Sequence, residues 1–141
     1  MKFVSKSPKE TQKIAADLAH KIIKIKKGVI IALEGELGAG KTTFIQGFAK
    51  ALGIESKIKS PTFVLMKKYS IKNGINLYHL DCYRVSDEKD LKIPEINEII
   101  TESCDIVLIE WAERVQKILP KKHLTVHIDH ISEKERKITI K

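Results

Sequence analysis

The chain has 141 residues, of which 43% are hydrophobic and 31% are charged. This length and composition are typical of one globular domain with a buried core, and we expect a single domain over residues 1–141. The sequence contains no apolar run near the roughly 20 residues that a membrane-spanning helix needs. Residues 1–8 lack the apolar core of a signal peptide, which predicts a cytoplasmic protein without a membrane partner.

The basic residues are spread along the chain. It carries 26 Lys and Arg residues against 18 Asp and Glu residues, a formal net charge of +8. The lysines are not interleaved with aromatic residues as in single-strand nucleic-acid binders. Two interpretations stay open: a solvated Lys-rich surface, or direct contact with RNA. Cys82 and Cys104 lack the spacing of a metal site, and we expect both to be reduced packing residues.

The first predicted elements are a helix, a strand and a second helix. Ser7-Pro8-Lys9-Glu10 has the pattern of a helix start with a capping box. An apolar stripe at helical spacing follows. The stripe consists of Thr11, Ile14, Ala15, Leu18, Ala19, Ile22 and Ile25. Residues 29–33 predict a strand buried on both faces of a parallel sheet, and a second helix is expected from about Lys41 to Gly53.

The second half of the chain predicts mainly strands. Residues 62–71 and 75–81 flank Lys72-Asn73-Gly74, which is the pattern of a β-hairpin. The remaining elements are a helix over residues 87–102, a buried strand over 105–109, and closing strands over 124–129 and 137–141. This order indicates an α/β, P-loop NTPase-like fold with a mostly parallel central sheet, flanking helices and an antiparallel hairpin.

A complete P-loop pattern, G-x-x-x-x-G-K-[ST], occupies residues 35–42. It lies between the predicted buried strand and an amphipathic helix, the context in which this pattern binds phosphates. Gly38 and Gly40 let consecutive backbone N–H groups point at an anion, beside the positive end of the helix. Lys41 would reach the β- and γ-phosphates, and the Thr42 hydroxyl would ligate Mg²⁺. The sequence therefore predicts that the chain binds ATP with magnesium.

Three further residues are candidates for the same site. Asp81 and Glu110 each end a predicted strand, and the carboxyl ends of parallel strands meet at the ligand crevice. The alternative for each is a solvated carboxylate at a strand end. Thr62 lies one loop beyond the P-loop helix, where switch segments place a threonine that senses the γ-phosphate; the alternative is an ordinary turn residue. The weaker candidates are His79, Arg84 and Trp111, and a core position is the alternative for Trp111.

Four segments, in this order, resemble the signature set of the bacterial TsaE (YjeE) ATPases. They are residues 35–43, Ser60-Pro61-Thr62-Phe63, residues 79–84 and Glu110-Trp111-Ala112-Glu113. The similarity runs through essentially the whole chain. It implies a Mg-dependent ATPase required for threonylcarbamoyladenosine modification of tRNA. The family supports turnover of the partner proteins TsaB and TsaD, and the resemblance implies contact with tRNA that is indirect or weak.

The resemblance also implies roles for individual residues. Thr42 and Glu110 would hold Mg²⁺, and the catalytic residues would be Lys41, Asp81 and Glu110. Whether Asp81 or Glu110 places the attacking water stays open. The implied nucleotide-binding residues are Thr11, Leu37, Gly38, Ala39, Gly40, Lys41, Thr42, Thr43, Thr62, Asp81 and Arg136, with Thr11 and Arg136 at the adenine end. The chain departs from the family in residues 86–94. This segment is shorter than the acidic helix that the family usually carries there, and it lacks that helix's glycine.

Two rival functions stay open. A small-molecule or nucleotide kinase shares the expected fold, but no arginine-rich lid is visible and 141 residues leave little room for an acceptor pocket. A nucleotide-gated assembly module would bind ATP and barely hydrolyse it. ATP turnover measured alone, with candidate acceptors and with the TsaB–TsaD pair separates the three functions.

Overall fold

The structure is a computed structural model that describes residues 1–25, 27–36, 38–55, 66–71, 74–83 and 105–141. Its strands are β1 (Lys2–Ser5), β2 (Val29–Glu34), β3 (Met66–Ser70), β4 (Asn76–Asp81), β5 (Ile106–Glu110), β6 (Leu124–His130) and β7 (Arg136–Ile140). Its α-helices are α1 (Pro8–Ile25) and α2 (Lys41–Ala51), and short 3₁₀ turns follow β5 at Ala112–Arg114 and Gln116–Ile118. Neither of the two described α-helices has the length and apolar character needed to cross a membrane.

The described strands form one mixed sheet in the order β1-β7-β6-β2-β5-β4-β3. The inner strands β6, β2, β5 and β4 run parallel to one another. Both flanks are antiparallel, through the β3–β4 hairpin on one side and the β6–β7 hairpin with β1 on the other. The predicted α/β fold is confirmed. Three of the six described strand pairings are parallel, and all three lie at the centre of the sheet.

Most predicted elements that fall on described residues form within one or two residues of their expected bounds. The N-terminal strand β1 was not predicted, because four residues are too few to show a period of two. It forms because its backbone pairs with β7, the last strand of the chain. The predictions for residues 62–65 and 87–102 lie outside the described residues.

Helix α1 begins with a cap that differs slightly from the predicted capping box. Ser7 Oγ accepts a hydrogen bond from the Glu10 N–H at 3.1 Å, as expected. The Glu10 carboxylate accepts from the Lys6 N–H at 2.6 Å, one residue before the predicted donor. The apolar stripe is buried from Thr11 to Ile22, apart from a half-buried Ile14. Its predicted last member, Ile25, is 55% exposed, because the helix end extends beyond the core.

Neighbouring residues on the central strands point to opposite faces of the sheet. On β2, Ile31 and Leu33 join the core beneath α1 and α2. Ala32 joins a second core on the other face, where Ala112 of the first 3₁₀ turn and Val115, between the two turns, also pack. Both described α-helices therefore cover the same face. Cys82, a free cysteine, lies in the second core, and burial raises the pKa of its thiol to about 12, in agreement with a packing role.

Helices α1 and α2 approach each other closely at Gly47. A Cβ atom added at Gly47 would lie 2.6–2.7 Å from the backbone and Cβ of Gln12 in α1. Real Cβ atoms essentially never come so close to other heavy atoms. A side chain at this position would therefore push the two helix backbones apart.

We expect Gly47→Ala to lower the free energy of unfolding by about 1–3 kcal/mol, because the added methyl group overpacks the helix interface. At a helix position with free space, Gly→Ala would instead raise the free energy of unfolding by about 0.5–1 kcal/mol. The sign of the change therefore shows whether the two helices are in close contact at Gly47. Lys50→Ala, at an exposed position of α2, is the control and should have little effect. Urea unfolding measures both variants, and wild-type stability of Gly47→Ala would contradict the close approach.

Candidate functional site

The glycine motif connects β2 to α2 and forms the N-terminal end of α2. Gly40 is the residue before the helix and has a φ of 103°, a backbone conformation that residues with a Cβ rarely adopt. No side chain of the described residues caps this end of α2. Its first N–H groups are therefore available to an anion, and the helix dipole favours negative charge at the same point.

Lys41, the first residue of α2, is almost completely buried, with 6% of its surface exposed. Its ammonium donates a hydrogen bond to the Gly35 carbonyl oxygen, at the start of the motif. The same ammonium lies 3.4 Å from the centroid of the Trp111 ring. Burial lowers the pKa of Lys41, and nearby carboxylates, Glu113 foremost, oppose that shift. The lysine is thus fixed between its own loop and an aromatic ring.

Trp111 follows β5 directly and has a φ of 57°, the one positive φ among the described non-glycine residues. Such backbone strain is concentrated at functional sites in proteins. The strained turn lets the ring cover Lys41 and contact Tyr83, whose ring centroid lies 5.1 Å away. The sequence left a core position open for Trp111, and the half-buried residue does pack against the second core while it also lines the cavity at the glycine motif. In the sequence, Trp111 directly follows Glu110, a carboxylate at a strand end, and this position was the signal that could have placed it at the site.

Asp81 and Glu110 end the neighbouring parallel strands β4 and β5 and lie opposite each other in the register. Because alternate residues share a face, both belong to the face that α1 and α2 cover. Glu110 is buried, with 4% exposed, and Asp81 is half-buried. Burial raises the pKa of Asp81, although its Oδ1 accepts a hydrogen bond from the Tyr83 N–H at 3.0 Å, which opposes the shift.

His79, on β4, holds one oxygen of Glu110. Its Nε2 lies 2.8 Å from Glu110 Oε2. A carboxylate only accepts hydrogen bonds, so we assign the proton to Nε2. In the sequence His79 was a weak candidate, although its place two residues before Asp81 on one strand puts it on the same face.

One cavity of about 420 Å³ brings the predicted residues together. Its lining includes Gly40, Lys41, Thr42, Asp81, Glu110 and Arg136. A second cavity of about 430 Å³ adjoins it and shares Gly40, Thr43 and Arg136 with it. The second cavity is also lined by Thr11. Two predicted residues, Leu37 and Thr62, lie outside the described residues, as does the weaker candidate Arg84, and their roles stay predictions.

Thr11 and Arg136 also make contacts that support the loop. Arg136 Nε donates to the Ala39 carbonyl oxygen at 2.9 Å, while its Nη1 donates to the Ser132 carbonyl oxygen at 2.7 Å. This side chain therefore ties the glycine motif to the turn between β6 and β7. Thr11 Oγ1 is buried and lies 2.7 Å from Ser5 Oγ, which joins α1 to β1.

The oxygen atoms around the first cavity suit a magnesium ion bound together with a nucleotide. Among the described residues, no three His, Cys, Asp or Glu side chains are grouped as a metal site. Mg²⁺ needs fewer protein ligands, because it is usually bound by one or two protein oxygens, substrate phosphates and water. The Thr42 hydroxyl and the Glu110 carboxylate line the same cavity and are ligands of this kind. The residues present therefore fit the ion.

A further cavity of about 480 Å³ lies on the other side of Trp111. Gly35, Glu113 and His127 are among its lining residues. The short length of the chain was an argument against an acceptor pocket, and this cavity weakens that argument.

Comparisons with known proteins place this geometry in one family. The family model for "Threonylcarbamoyl adenosine biosynthesis protein TsaE" matches residues 5–138. The TsaE of Bacillus subtilis (strain 168) is 39% identical over 140 residues, which are 99% of this chain and 84% of the relative. The TsaE of Treponema pallidum (strain Nichols) is 33% identical over 140 residues, 99% of both chains. The crystal structure of Bacillus subtilis YdiB matches with a TM-score of 0.74 at 34% identity, over 99% of this chain and 83% of that one.

We expect Asp81→Asn to stabilise the nucleotide-free protein at neutral pH. The folded-state pKa of Asp81 is raised, mainly by burial, so its ionised form is disfavoured in the folded state and stability is lost as pH rises through that pKa. Asparagine keeps the acceptor for the Tyr83 N–H without the charge. The gain is about 0.5 kcal/mol or less, because solvent screens a half-buried group.

Thermal unfolding of both proteins over a range of pH measures this effect. The two curves should meet at acidic pH, where Asp81 is protonated in both states, and separate as the pH rises. Asp17→Asn, on an exposed position of α1, is the control for removing one negative charge. A lower stability of Asp81→Asn at neutral pH would contradict the raised pKa.

Proposed function

The chain belongs to the TsaE family, and on that premise we propose that it binds ATP with Mg²⁺ and hydrolyses it in support of threonylcarbamoyladenosine modification of tRNA. The observation that carries this proposal is the meeting of Lys41, Thr42, Asp81 and Glu110 in one cavity. The relatives from Bacillus subtilis and Treponema pallidum are named for tRNA threonylcarbamoyladenosine biosynthesis. The proposed partners are TsaB and TsaD, in the cytoplasm, with tRNA contact that is indirect or weak.

In this proposal the loop binds the triphosphate. The uncapped N–H groups of α2 donate hydrogen bonds to phosphate oxygens, and Lys41 neutralises the β- and γ-phosphates. An incoming phosphate also offsets the burial that lowers the pKa of Lys41. The adjoining cavity, bordered by Thr11 and Arg136, takes the nucleoside end. Leu37 completes the loop around the phosphates, and Thr62 is the proposed sensor of the γ-phosphate.

Hydrolysis needs a metal ligand and a group that orients water. Thr42 and Glu110 are the proposed protein ligands of Mg²⁺, which when bound neutralises charge on the phosphates. Glu110 Oε2 is already engaged by His79. In Asp81, Oδ1 accepts a hydrogen bond from the Tyr83 N–H, whereas Oδ2 accepts none from the part of the chain that the structure describes. We therefore assign the orientation of the attacking water to Asp81, a choice that the sequence left open.

The cavity behind Trp111 favours one rival, phosphoryl transfer to a small acceptor. Such an acceptor would lie beside Gly35 and Glu113, next to the same lysine. A kinase would form ADP only with a phosphorylated acceptor. An ATPase of the proposed kind would release inorganic phosphate.

We expect the protein to release phosphate from ATP slowly alone and faster with TsaB and TsaD, with one phosphate for each ADP. Lys41→Met should reduce ATP binding and turnover by 100-fold or more, on the order of 3 kcal/mol, because it removes the cation while keeping the buried stem. Lys50→Met, on the exposed side of α2, is the matched control. Phosphate release is measured with the protein alone, with candidate acceptors, and with the two partners.

Two results would overturn the proposal. ADP formation that depends on an acceptor, without phosphate release, would assign a kinase. Tight ATP binding with no turnover under any of the three conditions would assign a nucleotide-gated assembly module.

We also expect the ATP-bound protein to bind the TsaB–TsaD pair more tightly than the ADP-bound protein. Thr42, Asp81 and Glu110 line one cavity, the proposed phosphate site, where γ-phosphate contacts would order the adjacent loops. A difference on the order of 1–3 kcal/mol, roughly 5–150-fold, is typical of such coupling. Calorimetric titration with ADP and with a non-hydrolysable ATP analogue measures it. Equal affinities would exclude a γ-phosphate switch in docking.

A further inference from the structure

His79 and Glu110 form a buried pair across the β4–β5 contact. His79 lies two residues before Asp81, and Asp81 lies opposite Glu110 in the register, so all three side chains share a face. The His79 Nε2 to Glu110 Oε2 distance is 2.8 Å, and the two side chains are 1% and 5% exposed. Glu110 also lines the cavity at the glycine motif. His79 therefore holds Oε2 of Glu110, whereas Oε1 accepts no hydrogen bond from the described residues.

The pair is maintained at a cost in stability. With the proton on Nε2, the second ring nitrogen of His79 is an acceptor. This Nδ1 atom is buried and has no hydrogen-bond partner among the residues that the structure describes. A buried polar atom without a hydrogen-bond partner lowers the stability of the folded state. Apolar residues of similar volume at both positions would avoid this cost. Core packing alone therefore gives no reason for a histidine at this position.

We propose that His79 is a positioning residue that holds the Glu110 carboxylate so that Oε1 serves the metal site. The proposal deepens the proposed function, because it rests on Glu110 as a ligand of Mg²⁺. His79 contacts neither the ion nor the nucleotide and acts only through Glu110. Hydrogen bonds to ligating side chains fix ligand orientation, and their loss typically costs about 10–100-fold in metal affinity.

The test compares two amide substitutions of His79 whose side chains differ in length. His79→Gln places an amide N–H near the position of Nε2 and can still donate to Glu110. His79→Asn is one carbon shorter and cannot. The measurement is Mn²⁺ binding to the ADP-bound full chain by electron paramagnetic resonance. We expect about 10–100-fold weaker Mn²⁺ binding for His79→Asn and an affinity within about threefold of wild type for His79→Gln.

Two controls separate positioning from folding. ADP affinity without divalent ions should be unchanged in both variants, whereas general damage to the site would lower it. Should His79→Asn fail to unfold cooperatively on heating, His79→Phe, with a ring of similar volume and no donor, supplies a second variant that cannot donate to Glu110. Wild-type Mn²⁺ affinity in whichever of these two variants folds would overturn the proposal. Failure of both His79→Asn and His79→Phe to fold would also overturn it, in favour of a structural role.

Glu110→Gln connects this test to the proposed function. Glu110→Gln should itself weaken Mn²⁺ binding, and adding His79→Asn to it should cause no further loss, because the positioned carboxylate is already gone. Equal losses from His79→Asn with and without Glu110 would show that His79 acts independently and would overturn the proposal. Normal Mn²⁺ affinity in Glu110→Gln would instead remove Glu110 from the metal site, whatever the rate of ATP hydrolysis.

Discussion

Parallel pairing of β2, β5 and β4 in one register determines which side chains meet at the glycine motif. The motif leaves the carboxyl end of β2, and the two neighbouring strands end at the same edge, at Glu110 and Asp81. Side chains alternate along a strand, so a slip of one residue would move a carboxylate to the opposite face. The apolar runs of β2 and β5 hold that register, because every second residue packs beneath α1 and α2.

The loop itself is held by residues that are far apart in the sequence. Lys41 is fixed by the Gly35 carbonyl and by Trp111, which follows β5. Arg136, at the start of β7, holds the Ala39 carbonyl from the other side. The close α1–α2 contact at Gly47 sets the position of the helix whose first turn faces the cavity. The proposed phosphate site is thus ordered without a ligand, which would lower the cost of ordering it on binding.

Several groups at this site oppose folding. Trp111 has a strained backbone, His79 has an unmatched ring nitrogen, and burial raises the pKa of Asp81 while it lowers that of Lys41. A different residue at each position would avoid the backbone strain, the unmatched nitrogen or the buried charge. Proteins usually depart from the rules of stable packing at functional sites. Here Trp111, Asp81 and Lys41 line one cavity, and His79 is hydrogen-bonded to Glu110, which lines it too. This clustering supports a role for His79 and Trp111 beyond packing.

The sequence by itself determined the local elements and the chemistry of the loop. The β-rich run of β2, the glycine motif and the stripe of α1 are read from neighbouring residues, since strand, turn and helix each have a short period. Only the tertiary structure decided that β1 pairs with β7, that His79 holds Glu110, and that Trp111 covers Lys41. Those contacts join residues about 30 to 140 positions apart, as the His79–Glu110 pair and the Met1–Ile140 hydrogen bond show. No local pattern encodes them, because strand order and register arise from packing the whole sheet.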